Sequence, residues 1–119
     1  SAGAINAMHL LYLPGTRGPA TSPVAGAISV AGFSFVSPPA GRPPAIMFHG
    51  TNDTTVQYTW AQNTCNSSVT AGNVCELITY EGGTHSIMST QSTDIRNQSA
   101  HLAWERILWA SGRQPETVP

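Results

Sequence analysis

The stretch Pro43-Pro44-Ala45-Ile46-Met47-Phe48-His49-Gly50-Thr51-Asn52-Asp53-Thr54-Thr55-Val56 decides how this chain folds. Ala45–His49 is a short, unbroken apolar run, opened by two prolines and closed by Gly50. Such a run reads as a buried parallel strand, because a half-wet strand would alternate apolar with polar residues. A carboxylate, Asp53, follows just past its end. Open α/β sheets place their functional groups at the carboxyl ends of strands. A second run, Glu76–Tyr80 (ELITY), is followed by Glu81-Gly82-Gly83-Thr84-His85. An acid and an imidazole therefore sit past two strand ends, in the order acid then base. A buried Asp that accepts a hydrogen bond from His Nδ1 sets the tautomer and steadies the imidazolium during proton transfer. Taken alone, an Asp after Gly-x-x is as often an N-cap for the next helix, and a His beside Gly-Gly is usually structural or exposed. Their joint placement favours chemistry.

Outward from this centre, residues 2–13 (AGAINAMHLLYL) carry Ala, Ile, Met and Leu at helical spacing, and Pro14-Gly15 stop them. Residues 15–23 read as loop. Val24–Ala31 (VAGAISVA) reads as another buried strand, and Gly32–Pro44 as a Pro/Gly-rich connection. Thr55–Thr64 reads as a helix carrying Val56, Tyr58 and Trp60. Asp94–Ala110 reads as the longest helix, with Ile95, Leu102, Ile107 and Leu108 as its apolar stripe; the tail from Gly112 frays. Alternating helices and fully apolar strands predict a parallel sheet flanked by helices, an α/β architecture. Three such strands leave exposed ladder edges, so the chain is expected to need a partner sheet.

Composition narrows the function. The 119 residues suit one small domain, with 40% hydrophobic and 9% charged residues and a net charge of −1. All five basic residues are Arg (17, 42, 96, 106 and 113), with no basic patch for nucleic acid. No apolar run approaches the roughly 20 residues that span a bilayer, so no membrane partner is expected. The lack of Lys and the abundance of Ala, Gly and Pro point to a GC-rich bacterial gene. Cys65 and Cys75 bracket the polar loop 66–74 and read as a local disulfide, which favours an extracytoplasmic, secreted location; the alternative is two buried free thiols. Two cysteines do not make a structural zinc site, and the His and Cys spacings predict neither a metal nor another cofactor.

A nucleophile completes the pattern. The order Ser…Asp…His is that of α/β hydrolases, whose serine lies in G-x-S-x-G on a sharp turn into a helix. The chain opens Ser1-Ala2-Gly3 and enters a small-residue helix, matching the second half of such an elbow. The chain resembles the C-terminal half of α/β-hydrolase carboxylesterases. These include the Ser-Ala-Gly group and secreted feruloyl-esterase-like and polyester-depolymerase-like enzymes. The resemblance rests on SAGAINAMHL (1–10), VAGAISVAGF (24–33), PPAIMFHGTNDTTVQY (43–58) and YEGGTHSI (80–87). It implies a serine esterase with Ser1 as nucleophile, His85 as general base then acid, and Asp53 orienting His85. The Ala2 N–H would be one oxyanion donor. It implies that residues 1–119 are the C-terminal catalytic portion of a single hydrolase domain, whose N-terminal half, missing here or a separate chain, supplies the second donor. A precursor cleaved before Ser1 would give such a pair. The 32–44 connection has no room for a helical lid, and an open site suits substrates larger than a simple short acyl ester; the expected substrate is a small or polymeric ester.

The rival readings are an N-terminal-nucleophile hydrolase that uses the Ser1 α-amine as base, which requires an antiparallel sandwich, and a non-catalytic interaction fragment of hydrolase ancestry. Glu81 is the reserve for the acid. His49 reads as a packed core imidazole, His9 and His101 as non-catalytic, and Trp60, Trp104 and Trp109 as core or inter-helix packing.

Overall fold

The computed structural model describes residues 2–12 and 25–108. Ser1, the 15–23 loop, Val24, Trp109 and the tail lie outside the described residues. Helix α1 spans Ala2–Tyr12, strand β1 Ala27–Val30, β2 Ala45–Gly50, α2 Tyr58–Thr70, β3 Cys75–Tyr80, α3 Ile87–Thr90 and α4 Ser92–Leu102, which runs on into a π-helical segment, Ala103–Leu108. Among these residues the sheet has three strands in the order β1-β2-β3, and both pairings are parallel. The antiparallel sandwich that an N-terminal-nucleophile hydrolase would need is not this architecture.

Strand β2 is buried at every residue and holds the two faces apart. Side chains alternate across a strand, so Ala45 and Met47 point one way, towards Met8, Leu11 and Tyr12 of α1 and Ala61 and Cys65 of α2. Ile46 and Phe48 point the other way, towards Ile87, Ile95, Leu102 and Ile107. The unbroken apolar run in the sequence is the consequence of being covered on both faces. Burying each large side chain contributes about 1.5–3 kcal/mol. Tyr12 is fully buried, and its hydroxyl sits 2.8 Å from Ser68 Oγ on α2. Burial raises the Tyr12 phenol above its ordinary value, against the lowering effect of the Ser68 bond.

Strand β1 is confined to Ala27–Val30 within the expected run, with Ser29 its one buried residue, and three features of the helices also differ from the sequence-based expectation. First, Thr55 and Val56 are not helical, because Asp53 captures both of their N–H groups in a turn. Second, α2 continues through Asn66–Thr70, part of the expected polar loop, although Ser, Asn and Thr favour helices weakly. Tertiary burial overrides that propensity: Ala61, Thr64, Cys65 and Ser68 form a buried stripe at helical spacing. Gly72, at φ +91°, then ends the run. Third, the last helix starts earlier and is broken, with the short α3 inserting the buried Ile87 before α4. Ile95, Leu102 and Ile107 are buried as the stripe predicted.

Cys65 and Cys75 form a disulfide that joins α2 to the start of β3. Asn73 ties the Pro-rich connection to the same corner: its Oδ1 accepts the Arg42 N–H at 2.9 Å, and its Nδ2 donates to the Pro39 carbonyl at 2.8 Å. That connection carries no helix, so no lid stands there. Closing a loop of 10 residues' separation restricts the unfolded chain by about 3 kcal/mol in the loop-entropy model. Urea unfolding with and without reductant should differ by about that amount, and Cys65→Ser with Cys75→Ser should abolish the difference.

Candidate active site

The site is assembled where the loops after β2 and β3 meet. Gly50 lies so close to Gly83 that a Cβ there would stand 2.1 Å from the Gly83 carbonyl oxygen. Only a residue without a side chain permits the approach. Backbone bonds cross this junction: Asn52 N–H donates to Gly83 O at 2.8 Å, and Thr51 N–H to Tyr80 O at 3.1 Å. The Thr51 hydroxyl accepts the Gly82 N–H at 2.8 Å and donates to Glu81 at 3.3 Å.

This docking brings Asp53 and His85 together. The Asp53 side chain is fully buried, and its two oxygens divide the work. Oδ1 accepts the N–H groups of Thr55 and Val56, both at 2.9 Å. Oδ2 accepts from His85 Nδ1 at 2.8 Å. Asp53 thus holds a turn ahead of α2 with one oxygen, instead of capping the helix, whose N-cap is Gln57, and meets His85 with the other. With Nδ1 turned to the carboxylate, Nε2 is the other ring nitrogen of His85, whose side chain remains 29% exposed. Burial opposes the charge on Asp53, but the bonds from His85, Val56 and Thr55 outweigh it. The carboxyl is held below its ordinary value of 3.8. Glu81 is occupied with Thr51 instead, and Asp53 is the acid at His85.

Ser1 lies outside the described residues. The start of its helix does not: Gly3 and Ala4 line a 340 Å³ cavity with His85, Ile28, Val30 and Met88. Ala2 is exposed and begins α1, where backbone N–H groups have no helical partner. Next to this cavity, Ala31 holds a left-handed backbone at φ +57° and donates its N–H to Phe48 O at 2.8 Å. A second cavity of 590 Å³ lies between α1, α2 and the 33–38 segment, and Thr55 and Val56 of the Asp53 turn share its wall. Phe33, Phe35 and Trp60 line it, with Trp60 5.0 Å from Phe33 between ring centroids. Trp60 and Trp104 are thus partly exposed, at 39% and 37%, instead of filling the core. The aromatic wall escaped sequence reading because Phe33 and Phe35 sit 25 or more residues from Trp60 in a Pro/Gly-rich segment.

His49 is completely buried at the end of β2, as its apolar context suggested, yet its Nε2 lies 2.6 Å from Val56 O and 3.4 Å from Asp53 Oδ2. His101 is exposed, and the His9 ring meets Phe35. Among the described residues no group of three His, Cys, Asp or Glu is placed to hold a metal, and no helix is long and apolar enough to cross a membrane.

Sheet, helices and strand-end loops together form an α/β-hydrolase-like fold. Native esterase 2 of the thermophilic planctomycete Thermogutta terrifontis superposes with a TM-score of 0.75 at 24% identity, over 100% of this chain and 55% of its own. The cyclosarin-phosphonylated form of that esterase gives 0.72 at 24% identity, over 98% and 54%. Its butyrate-bound form gives 0.72 at 23% identity, over 99% and 56%. The likeness establishes the fold, and this chain spans about half the length of those esterases. No protein-family model matches the sequence, and no curated protein does.

Two outcomes follow from the junction. Gly50→Ala drives a methyl group into a backbone carbonyl, so urea unfolding should show a loss of about 3 kcal/mol or more. For Asp53 the folded carboxyl ionises more readily than the unfolded one. Its contribution to stability is therefore complete above the unfolded value and is lost as pH falls through the folded one. Unfolding measured from pH 6 down to pH 2 should show an acid-side loss beginning near the ordinary value of 3.8, and Asp53→Asn should remove that component. The substituted amide keeps an oxygen for the Thr55 and Val56 N–H groups while losing the titrating group.

Proposed function

We propose that this chain is the C-terminal catalytic portion of a serine esterase that hydrolyses carboxylic esters through an acyl-enzyme. Ser1 is the nucleophile, His85 the base and Asp53 the orienting acid. The observation that carries the reading is the 2.8 Å contact of His85 Nδ1 with buried Asp53 Oδ2, with His85 facing the first turn of α1 across one cavity. The likeness to solved esterases supports it.

In this mechanism Ser1 Oγ attacks the ester carbonyl carbon while His85 Nε2 takes its proton. Asp53 Oδ2 holds Nδ1–H and stabilises the imidazolium without itself taking the proton. The tetrahedral oxyanion accepts from the Ala2 N–H and from a second donor. Collapse expels the alcohol, which leaves with the proton from His85. Water then repeats the sequence on the acyl-enzyme and frees the acid.

The second donor belongs to a part of the hydrolase domain that packs against β1. Ile28 and Met88, 38% and 58% exposed beside His85, support that docking edge. The aromatic cavity next to the Asp53 turn holds the larger substituent of a small or polymeric ester. The Cys65–Cys75 disulfide supports an extracytoplasmic setting.

The decisive experiment uses the protein with whatever polypeptide copurifies with it. A fluorophosphonate probe should label Ser1, and p-nitrophenyl acetate and butyrate should be hydrolysed. Ser1→Ala and His85→Ala should each lower kcat by about 10⁴-fold or more, and Asp53→Asn by about 10⁴-fold. Undiminished turnover in Ser1→Ala or His85→Ala overturns the assignment.

A further inference from the structure

We infer that His49 is a positioning residue of this centre, holding the Asp53 turn through an Nε2–H donated to the Val56 carbonyl. The inference rests on the esterase reading for its effect on catalysis, but its geometry stands apart from it. His49 is the penultimate residue of β2, shares a face with Ala45 and Met47, and is 0% exposed. A carbonyl oxygen only accepts, so the 2.6 Å contact with Val56 O requires the proton on Nε2. The same nitrogen lies 3.4 Å from Asp53 Oδ2. Its other nitrogen, Nδ1, is buried with no hydrogen-bond partner among the described residues. The ring therefore aims its whole donor capacity at the turn and the carboxylate. The titratable groups that face it are Asp53 and Tyr58, the latter edge-on at 6.0 Å.

Why would a core position hold a half-satisfied imidazole? A Leu or Phe would fill the space without burying an unpaired polar atom. What neither can do is clamp residue 56 from the strand side. The Val56 N–H holds Asp53 Oδ1 while the Val56 C=O is held by His49. The turn is thus pinned on both edges of one residue, and Oδ2 is left aimed at His85. Second-layer bonds of this kind set the orientation of the groups that react, and a misplacement of about 1 Å costs up to about 100-fold in rate.

The test compares His49→Phe, which keeps bulk without a donor, with His49→Gln, whose Nε2 amide reaches the same carbonyl. Exposed His101→Gln is the control. kcat and KM are measured on p-nitrophenyl butyrate in the active preparation, well below each variant's Tm. The far-downfield proton resonance of the His85–Asp53 bond is recorded alongside. His49→Phe should lose roughly ten- to a hundredfold in kcat with KM nearly unchanged, and the bridging resonance should broaden or move upfield. His49→Gln should restore most of both, and His101→Gln should alter neither. A folded His49→Phe with wild-type kcat and resonance overturns the proposal, as does a His49→Gln no better than Phe. If the variants do not fold, the wild-type imidazole ¹⁵N shifts decide: a proton on Nδ1 of His49 overturns it, and the Nε2–H form supports it. Failure of fluorophosphonate labelling would overturn the esterase reading alone, since the His49 tautomer is read independently.

Discussion

Everything at this site depends on two strand-end loops touching at Gly50 and Gly83. The contact is backbone on backbone, with no space for a side chain on Gly50. It fixes the distance between β2's acid loop and β3's base loop more tightly than side-chain packing would, because peptide groups have few ways to move aside. Asn52 and Thr51 seal it with main-chain bonds. The parallel pairing of β2 and β3 delivers both loops to the same end of the sheet. A different register would carry Asp53 and His85 past one another.

Inside that frame, one carboxylate reconciles two demands that usually compete. A turn needs an acceptor for its N–H groups, and an imidazole needs an anion at Nδ1. Asp53 serves the first with Oδ1 and the second with Oδ2, and burial strengthens all three bonds. His49 then closes the turn from behind. The result is a rigid carboxylate whose ionised form is favoured in spite of its burial. Rigid electrostatics of this kind are prepared before any substrate arrives.

The molecule is unevenly covered. The face under α1 and α2 is closed, stapled by the disulfide and by Tyr12 against Ser68. The opposite face is covered by α3, α4 and the π-helical segment, but the β1 side keeps Ile28 partly in view and Met88 exposed near His85. His85 and uncovered apolar surface thus share one corner.

Sequence alone determined the layers and the partners in chemistry. The unbroken apolar run Ala45–His49 read as a buried strand and is one, whereas β1 and β3 are only partly covered. The meeting of Asp53 with His85 was legible because each stands just beyond a strand, and the disulfide because Cys65 and Cys75 flank a short segment. Three things were decided only in three dimensions. The extent of α2 was one, since burial of Cys65 and Ser68 outweighs the weak helix propensity of Asn66–Thr70. The aromatic wall was another, assembled from Phe33, Phe35 and Trp60 on separate segments. The last was the bond of His49 to Val56. Propensity and periodicity are local and survive in one dimension. A side chain's partner depends on which strand ends the sheet brings together, and that is settled only when the loops after β2 and β3 close on Gly50.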